Sequence, residues 1–153
     1  MKNLDALVKL AQTRARELNF PYRGSLTPIE ACQIWQATPD VQLVDVRTRS
    51  ELDWVGRIPG SIEIEWMSLP SDQRQLARNP DFLTQLKEQV PSTSLVLFIC
   101  RSGARSHQAA CAACQAGFAE SYNVLEGFEG ELDAAGQRGK SGGWRFAGLP
   151  WKS

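Results

Sequence analysis

The chain has 153 residues, 42% of them hydrophobic, a size and composition typical of one domain with a substantial core. Lysine plus arginine and aspartate plus glutamate number 17 each, so the balanced charge gives no electrostatic reason to expect nucleic acid or an anionic membrane as a partner. Charged residues interrupt the amino-terminal segment, and no run approaches the roughly 20 apolar residues of a membrane span, so we expect neither a signal peptide nor a membrane anchor. Four cysteines are too few for a disulfide scaffold and indicate a reducing, cytoplasmic setting.

Two helices are predicted near the amino terminus. Apolar residues recur at steps of three and four over residues 3–18, which indicates an amphipathic helix that either packs on the core or meets a partner. The sequence TPIE at 27–30 combines a threonine cap, an early proline and a glutamate three residues after the cap, which marks a helix start. We expect this second helix to reach residue 36, with Ile29 and Cys32 facing the core.

Val41–Val46 predicts a buried strand whose end carries Asp45 and Arg47. The carboxyl ends of parallel strands gather at one edge of a sheet, where ligands bind. These two side chains either form an ion pair that holds loops beside a site, or contact a substrate directly.

The middle of the chain alternates short elements with turns. The pattern predicts a helical turn at 50–55, a tight turn at 58–60, a short strand at 61–64, and helices at 71–77 and 81–89.

The run 95–99 is continuously apolar and predicts a fully buried strand that ends at Cys100. The loop RSGAR at 101–105 follows, and a helical pattern occupies 106–116. The free N–H groups and the dipole at a helix start favour an anion, and the loop adds two arginines. These features favour a thiolate, so Cys100 is the candidate nucleophile rather than an inert core thiol.

Cys111 and Cys114 form a C-x-x-C pattern in the middle of the predicted helix 106–116. Residues three apart on a helix hold their Cβ atoms about 5–6 Å apart, which exceeds the distance that a disulfide needs. There is no second C-x-x-C, and the single histidine, His107, cannot complete a zinc site alone. We therefore expect packing roles for both cysteines, a surface position or a rim or proton-relay role for His107, and neither a metal nor a cofactor.

The carboxyl-terminal part predicts a last strand at 121–125, a short helix at 127–132 and a glycine-rich loop at 133–143. Tryptophans in the closing segment at 143–151 are expected to anchor it on the core. Strands that alternate with helices indicate an α/β fold with a mostly parallel central sheet covered by helices on both faces.

Three segments resemble the rhodanese (sulfurtransferase) family. CRSGARS at 100–106 is similar to the active-site loop of that family, LVDVR at 43–47 to its strand end, and GRIPGS at 56–61 to its G-H-I-P-G-A segment. Arg57 stands where histidine is usual, and LEGFEG at 125–130 replaces the common L-x-G-G-x-x-W.

The resemblance implies the five-stranded rhodanese arrangement, with a rhodanese-like domain at 23–153 after an amino-terminal helical extension at 1–22. It also implies that Cys100 is the catalytic residue and carries sulfur as a persulfide. The residues expected to bind substrate are Arg101, Ser102, Gly103, Ala104, Arg105 and Ser106. The site-supporting residues would be Asp45 and Arg47. The expected partners are a small anionic donor such as thiosulfate and a thiol or cyanide-like acceptor, with a protein as a further candidate sulfur acceptor.

Two other functions compete with sulfur transfer. Related cysteine phosphatases place five residues between the cysteine and the arginine, whereas four separate Cys100 from Arg105, which disfavours phosphatase or arsenate chemistry. A rhodanese-like sulfur carrier or regulatory binding module with little turnover on small donors stays open. Turnover of thiosulfate and cyanide to thiocyanate distinguishes it from an enzyme.

Overall fold

The secondary structure comes from a computed structural model that describes residues 4–69 and 74–153. The helices are α1 Leu4–Glu17, α2 Pro28–Ala37, α3 Arg49–Val55, α4 Phe82–Gln89 and α5 Ala104–Gln115. The strands are β1 Gly24–Leu26, β2 Gln42–Asp45, β3 Ile62–Glu63, β4 Met67–Ser68, β5 Ala77–Arg78, β6 Val96–Ile99 and β7 Ser121–Val124. Among the described residues, no helix is long and apolar enough to cross a membrane.

Five strands form one sheet in the order β1-β7-β6-β2-β3, and every neighbouring pair is parallel. The apolar strand β6 lies at the centre of this sheet, between β2 and β7. Asp45 pairs with Ile99 across the register, so the ends of β2 and β6 lie side by side. The predicted α/β fold with a five-stranded parallel sheet is therefore confirmed.

Helices cover both faces of the sheet, as predicted. Side chains of β6 alternate between two cores, because Leu97 and Ile99 pack on one side and Val96 and Phe98 on the other. Helices α1 and α2 contribute to the first core together with the fully buried Trp144. Helices α4 and α5 contribute to the second. This burial on both faces explains the continuous apolar run in the sequence.

The amino-terminal helix packs on the first core, which is one of the two outcomes that its amphipathic pattern allowed. Leu7, Ala11 and Ala15 are buried along its inner face. Arg14 also donates two hydrogen bonds to Glu30, at 2.6 and 3.0 Å. The division between an extension at 1–22 and a domain at 23–153 stays a prediction.

Helix α2 begins with the predicted capping box, in which Thr27 and Glu30 satisfy each other's backbone N–H groups. The expected burial of Cys32 is confirmed, but that of Ile29 is wrong because 51% of Ile29 is exposed. The buried stripe of α2 runs through Pro28, Ala31 and Cys32, and Ile29 lies to one side of it.

Two predicted helices are absent from the residues that the structure describes. Residues 71–73 of the segment 71–77 lie outside the described residues, and Ala77 belongs to β5, which pairs antiparallel with β4. The cross-strand hydrogen bonds of that small sheet replace the predicted helix at this position.

In the segment 127–132, residues 127–129 form a turn and residues 130–132 are irregular, so the predicted helix is wrong. Glu126 and Gly127 have φ angles of 67° and 64°, which a right-handed helix excludes. A Cβ atom on Gly127 would lie 2.5 Å from the carbonyl oxygen of Cys100, so only glycine fits this close approach. The turn lets the N–H of Phe128 donate to the same carbonyl at 2.8 Å.

Candidate active site

Cys100 follows the central strand β6 at the edge of the sheet where the parallel strands end. The residue is 1% exposed and lies beneath the loop that leads into α5. Its Sγ atom accepts a hydrogen bond from the N–H of Gly103 at 3.1 Å and lies 3.3 Å from Oγ of Ser106. The sulfur is therefore held against the amino-terminal end of a helix, an environment that suits an anion.

Gly103 makes this arrangement possible because it is the N-cap residue of α5 with a φ angle of 106°. Only glycine adopts this conformation without strain. The helix begins at Ala104, two residues before its predicted start, so Arg105 belongs to its first turn. The N–H groups of that turn have no acceptor within the helix and remain available to a bound anion.

Arg105 forms a bidentate ion pair with Glu51, at 2.7 and 2.8 Å, and does not present a free charge. Glu51 also completes the capping box of α3 with Thr48. Burial works to raise the pKa of Glu51, but Arg105 and Thr48 outweigh it and lower this pKa to about 2. Burial works to lower the pKa of Arg105. The negative charge of Glu51 outweighs this effect and raises the pKa, with smaller contributions from Cys100 and Asp45.

We expect the ion pair between Glu51 and Arg105 to lose its contribution to the stability of the fold in acid. Its carboxyl has a pKa of about 2 in the folded protein against an ordinary value of 4.5. The stabilisation is therefore complete above pH 4.5 and disappears as the pH falls towards 2. We expect Glu51→Gln to lower the free energy of unfolding by roughly 2 kcal/mol at neutral pH, because glutamine keeps the cap and loses the charge.

Urea unfolding of the wild type and Glu51→Gln at about pH 7, 4 and 3 measures this effect. The difference between the two proteins should shrink as the pH decreases. A difference that stays constant over this range would contradict the assignment of the stabilisation to the carboxylate charge.

Arg101 differs from Arg105 because it is exposed. Together with Arg105 it lines a cavity of about 680 Å³ whose apolar wall is formed by Val55, Met67 and Leu76. A second cavity of about 740 Å³ lies along Ser102, Gly103 and Ala104. The loop above Cys100 thus borders two cavities. In the cavity that Arg101 and Arg105 line, Arg101 is the exposed cation that can bind a ligand.

Asp45 and Arg47 form an ion pair that is completely buried. The guanidinium group of Arg47 donates to both carboxylate oxygens, with a shortest distance of 2.7 Å, and stacks 4.0 Å from the ring centre of Phe128. Since the N–H of Phe128 donates to the carbonyl of Cys100, the pair lies behind the backbone of the loop. Their burial favours loop support over direct contact with a substrate.

Asn123 and Tyr22 are polar residues near the site that the sequence analysis missed. Asn123 is buried in β7 and accepts a hydrogen bond from Ser106 at 2.6 Å. The hydroxyl of Tyr22 lies 2.7 Å from Nδ1 of His107, and that imidazole is half-buried between Tyr22 and Phe20. An asparagine inside an otherwise buried strand was a signal that the sequence offered.

The other three cysteines lie within helices, Cys32 in α2 and Cys111 and Cys114 in α5. Cys111 and Cys114 are partly buried against the second core, which confirms their packing role, and all four cysteines are free. Burial and the neighbouring Cys114 raise the pKa of Cys111. Among the described residues, no group of three or more histidine, cysteine, aspartate or glutamate side chains is placed to hold a metal ion.

The site therefore consists of a cysteine thiol at the end of a central parallel strand, in contact with the N-cap residue of the next helix. Such a position favours a bound anion. Residues 30–132 match the Rhodanese-like domain in a comparison with protein families. The chain belongs to this rhodanese-like family, as the three sequence motifs predicted.

Individual relatives agree with this assignment. The crystal structure of Rv0390 from M. tuberculosis is 42% identical and superimposes with a TM-score of 0.75, over 86% of this chain and 98% of the other. A sulfurtransferase from Allochromatium vinosum is 31% identical over 90 residues, which is 59% of this chain and 70% of the relative. The polysulfide-sulfur transferase homodimer from Wolinella succinogenes, 24% identical with a TM-score of 0.57 over 98% and 90% of the two chains, shares the fold.

Proposed function

We propose that this protein is a sulfurtransferase that moves sulfane sulfur from a small anionic donor such as thiosulfate to a thiophilic acceptor. A persulfide on Cys100 carries the sulfur between them. The observation that supports this most directly is the contact of Sγ with the N–H of Gly103 at the start of α5, at 3.1 Å. The similarity to the Allochromatium vinosum sulfurtransferase points to the same class of reaction.

The reaction has two displacement steps that need no external oxidant. The thiolate of Cys100 attacks the outer sulfur of thiosulfate, a new S–S bond forms, and sulfite leaves with the electron pair of the broken S–S bond. A thiolate or cyanide acceptor then attacks the terminal sulfur and releases the Cys100 thiolate. Backbone N–H groups at the start of α5 stabilise the anionic sulfur in both states.

The surrounding residues take distinct roles in this proposal. Arg101 binds the oxygens of the donor, and the backbone from Ser102 to Ser106 surrounds the sulfur. Arg105 holds the loop through Glu51, and the buried pair of Asp45 and Arg47 supports it from behind. A reducing, cytoplasmic setting would keep Cys100 available as a free thiol.

Mass spectrometry and a turnover assay test the proposal together. The reduced protein should gain one sulfur atom, about 32 Da, on Cys100 after exposure to thiosulfate, and cyanide should remove it as thiocyanate. Multiple turnovers are expected when both reagents are present. A protein that neither gains the mass nor forms thiocyanate would contradict the proposed chemistry.

A sulfur carrier or regulatory module is the second candidate, and the apolar wall of the Arg101 cavity favours it. Val55, Met67 and Leu76 offer a surface that suits a protein or an organic acceptor better than cyanide. This function predicts the mass gain on Cys100 with few turnovers on small acceptors.

Donor preference gives a prediction for Arg101. Charge-assisted hydrogen bonds from an exposed guanidinium suit the oxygens of the thiosulfate dianion, so thiosulfate should be a better donor than mercaptopyruvate. We expect Arg101→Ala to lower kcat/KM for thiosulfate roughly tenfold, which corresponds to about 1.4 kcal/mol. High salt should reduce this effect, because salt screens an exposed charge.

Steady-state kinetics with both donors measures the contribution of Arg101. Arg16→Ala is the matched control, because it removes the same charge from an exposed position on α1 outside the cavity. Equal kinetics for the wild type and Arg101→Ala would assign donor binding to the loop amides alone.

A further inference from the structure

The hydroxyl of Ser106 has two neighbours that compete for its single hydrogen atom. Its Oγ lies 2.6 Å from Oδ1 of Asn123 and 3.3 Å from Sγ of Cys100. Ser106 is fully buried, and Asn123 and Cys100 are 3% and 1% exposed. No bulk solvent reaches this group, so the two neighbours decide which way the hydroxyl points.

The orientation of the Asn123 amide follows from its second contact. Its Nδ2 group donates to the carbonyl oxygen of Gly103 at 3.3 Å. A carbonyl only accepts, so the NH₂ group must face Gly103 and the amide oxygen must face Ser106. The amide oxygen also only accepts, and the short distance of 2.6 Å therefore assigns the hydroxyl hydrogen to Asn123.

This orientation of the hydroxyl determines which part of Ser106 faces the sulfur of Cys100. While Ser106 donates to Asn123, its oxygen presents lone pairs to the sulfur. Lone pairs accept a hydrogen bond from a neutral thiol and repel a thiolate. The same hydroxyl stabilises an anionic sulfur only after it turns and donates to Sγ, which leaves the Asn123 oxygen without its donor.

We propose that Asn123 is a positioning residue that controls the ionisation of Cys100 by keeping the hydroxyl hydrogen of Ser106 turned away from the sulfur. This inference rests on the proposed function, because sulfur transfer requires the anionic forms of Cys100. In this arrangement the Ser106 oxygen opposes a negative charge on the sulfur, and the hydroxyl supports that charge only when it exchanges its hydrogen bond to Asn123 for one to Sγ. The N–H of Gly103 donates to the sulfur in both arrangements, so the loop backbone keeps its place.

Charged groups from several elements also face the sulfur. Arg105 acts on it from α5 together with Glu51 from α3, and Asp45 and Arg47 lie behind it at the end of β2. Substitution of Asn123 by an apolar residue changes none of these charges. The variant also removes the contacts of the Asn123 amide with the carbonyl of Gly103 and with the hydroxyl of Tyr22. Comparison with the Ser106→Ala background therefore isolates the effect of the Ser106 hydroxyl.

The test is the pH profile of Cys100 alkylation by iodoacetamide, resolved by site with mass spectrometry from about pH 4 to about pH 9. In Asn123→Leu the hydroxyl is free to donate to the thiolate, so the midpoint should move about one pH unit lower. In the Ser106→Ala background, the same change at residue 123 should leave the midpoint where it is, because the group through which Asn123 acts is missing. Asn123→Asp keeps an acceptor and adds a negative charge, so it should move the midpoint higher.

Two results would overturn the proposal. One is an unchanged midpoint in Asn123→Leu, and the other is an equal shift with and without the Ser106 hydroxyl, which would indicate a general disturbance of the loop. Asn123→Val, which suits a strand, replaces the leucine variant where that variant does not fold. Alkylation uses no sulfur donor, so a failure of the proposed function appears only in the thiosulfate loading of the wild type.

Discussion

The Cys100→Ser variant should take up no sulfur from thiosulfate and should form thiocyanate more than about a thousandfold more slowly than the wild type. A serine hydroxyl cannot form a persulfide, so the covalent intermediate is lost rather than weakened. The oxygen still accepts a hydrogen bond from the N–H of Gly103, which approaches Sγ to 3.1 Å in the wild type. The variant should therefore keep its fold, and circular dichroism together with thermal unfolding checks this.

Cys111→Ser and Cys114→Ser are the matched controls for this experiment. Both cysteines are free thiols in the second half of α5 that pack against the second core. Both variants should load sulfur at the wild-type level. Sulfur uptake that persists in Cys100→Ser and disappears in one of these two would place the nucleophile elsewhere.

The Asp45→Ala variant should lose about 3–5 kcal/mol of its free energy of unfolding. The substitution leaves the charge of Arg47 at a position that is 0% exposed, with no carboxylate to compensate it. Nη1 of Arg47 already lacks a hydrogen-bond partner among the described groups, so the site has little capacity to satisfy Nε and Nη2 once Asp45 is removed. Urea denaturation measures the loss, and sulfur loading should fall with it as the loop loses its support.

The ion pair between Arg57 and Asp53 is the control for this prediction. Its shortest distance is 2.6 Å, against 2.7 Å for the buried pair, but its side chains are 31% and 53% exposed. Asp53→Ala should therefore cost less than about 1 kcal/mol. In addition, Asp45→Leu combined with Arg47→Met should recover much of the loss, because it removes both buried charges. Equal losses at the exposed and buried pairs would show that burial does not determine the cost.

The sequence predicts those parts of the fold that depend on local patterns. The apolar run at 95–99 and the capping box at Thr27 each lie within a few residues, and both are confirmed. Strand β1 has only three residues, too few for a periodicity, and only the family resemblance supplied a fifth strand. The turn at Glu126 and Gly127 escaped prediction because its left-handed backbone serves a contact with the Cys100 loop.

In the candidate site, too, the sequence predicts features within one segment and misses contacts between distant segments. The position of Cys100 between a buried strand and a helix start follows from adjacent residues, and its catalytic role stays a prediction. Arg105 and Glu51 are 54 residues apart in the chain, and their pairing depends on how α3 and α5 pack. Asn123 reaches Ser106 across neighbouring elements, and no pattern along one segment encodes such a contact.

The carboxylate of Glu51 has consequences for how this protein can change during evolution. It completes the capping box of α3 with Thr48 and forms the ion pair with Arg105. Glu30 has the same two roles at α2, where its partners are Thr27 and Arg14. A lineage that replaces one of these glutamates with a side chain that cannot accept a hydrogen bond loses half of a capping box and a link to a distant segment in a single mutation. Substitutions at positions 51 and 105 should therefore be inherited together, so that the two positions covary among descendants of this sequence.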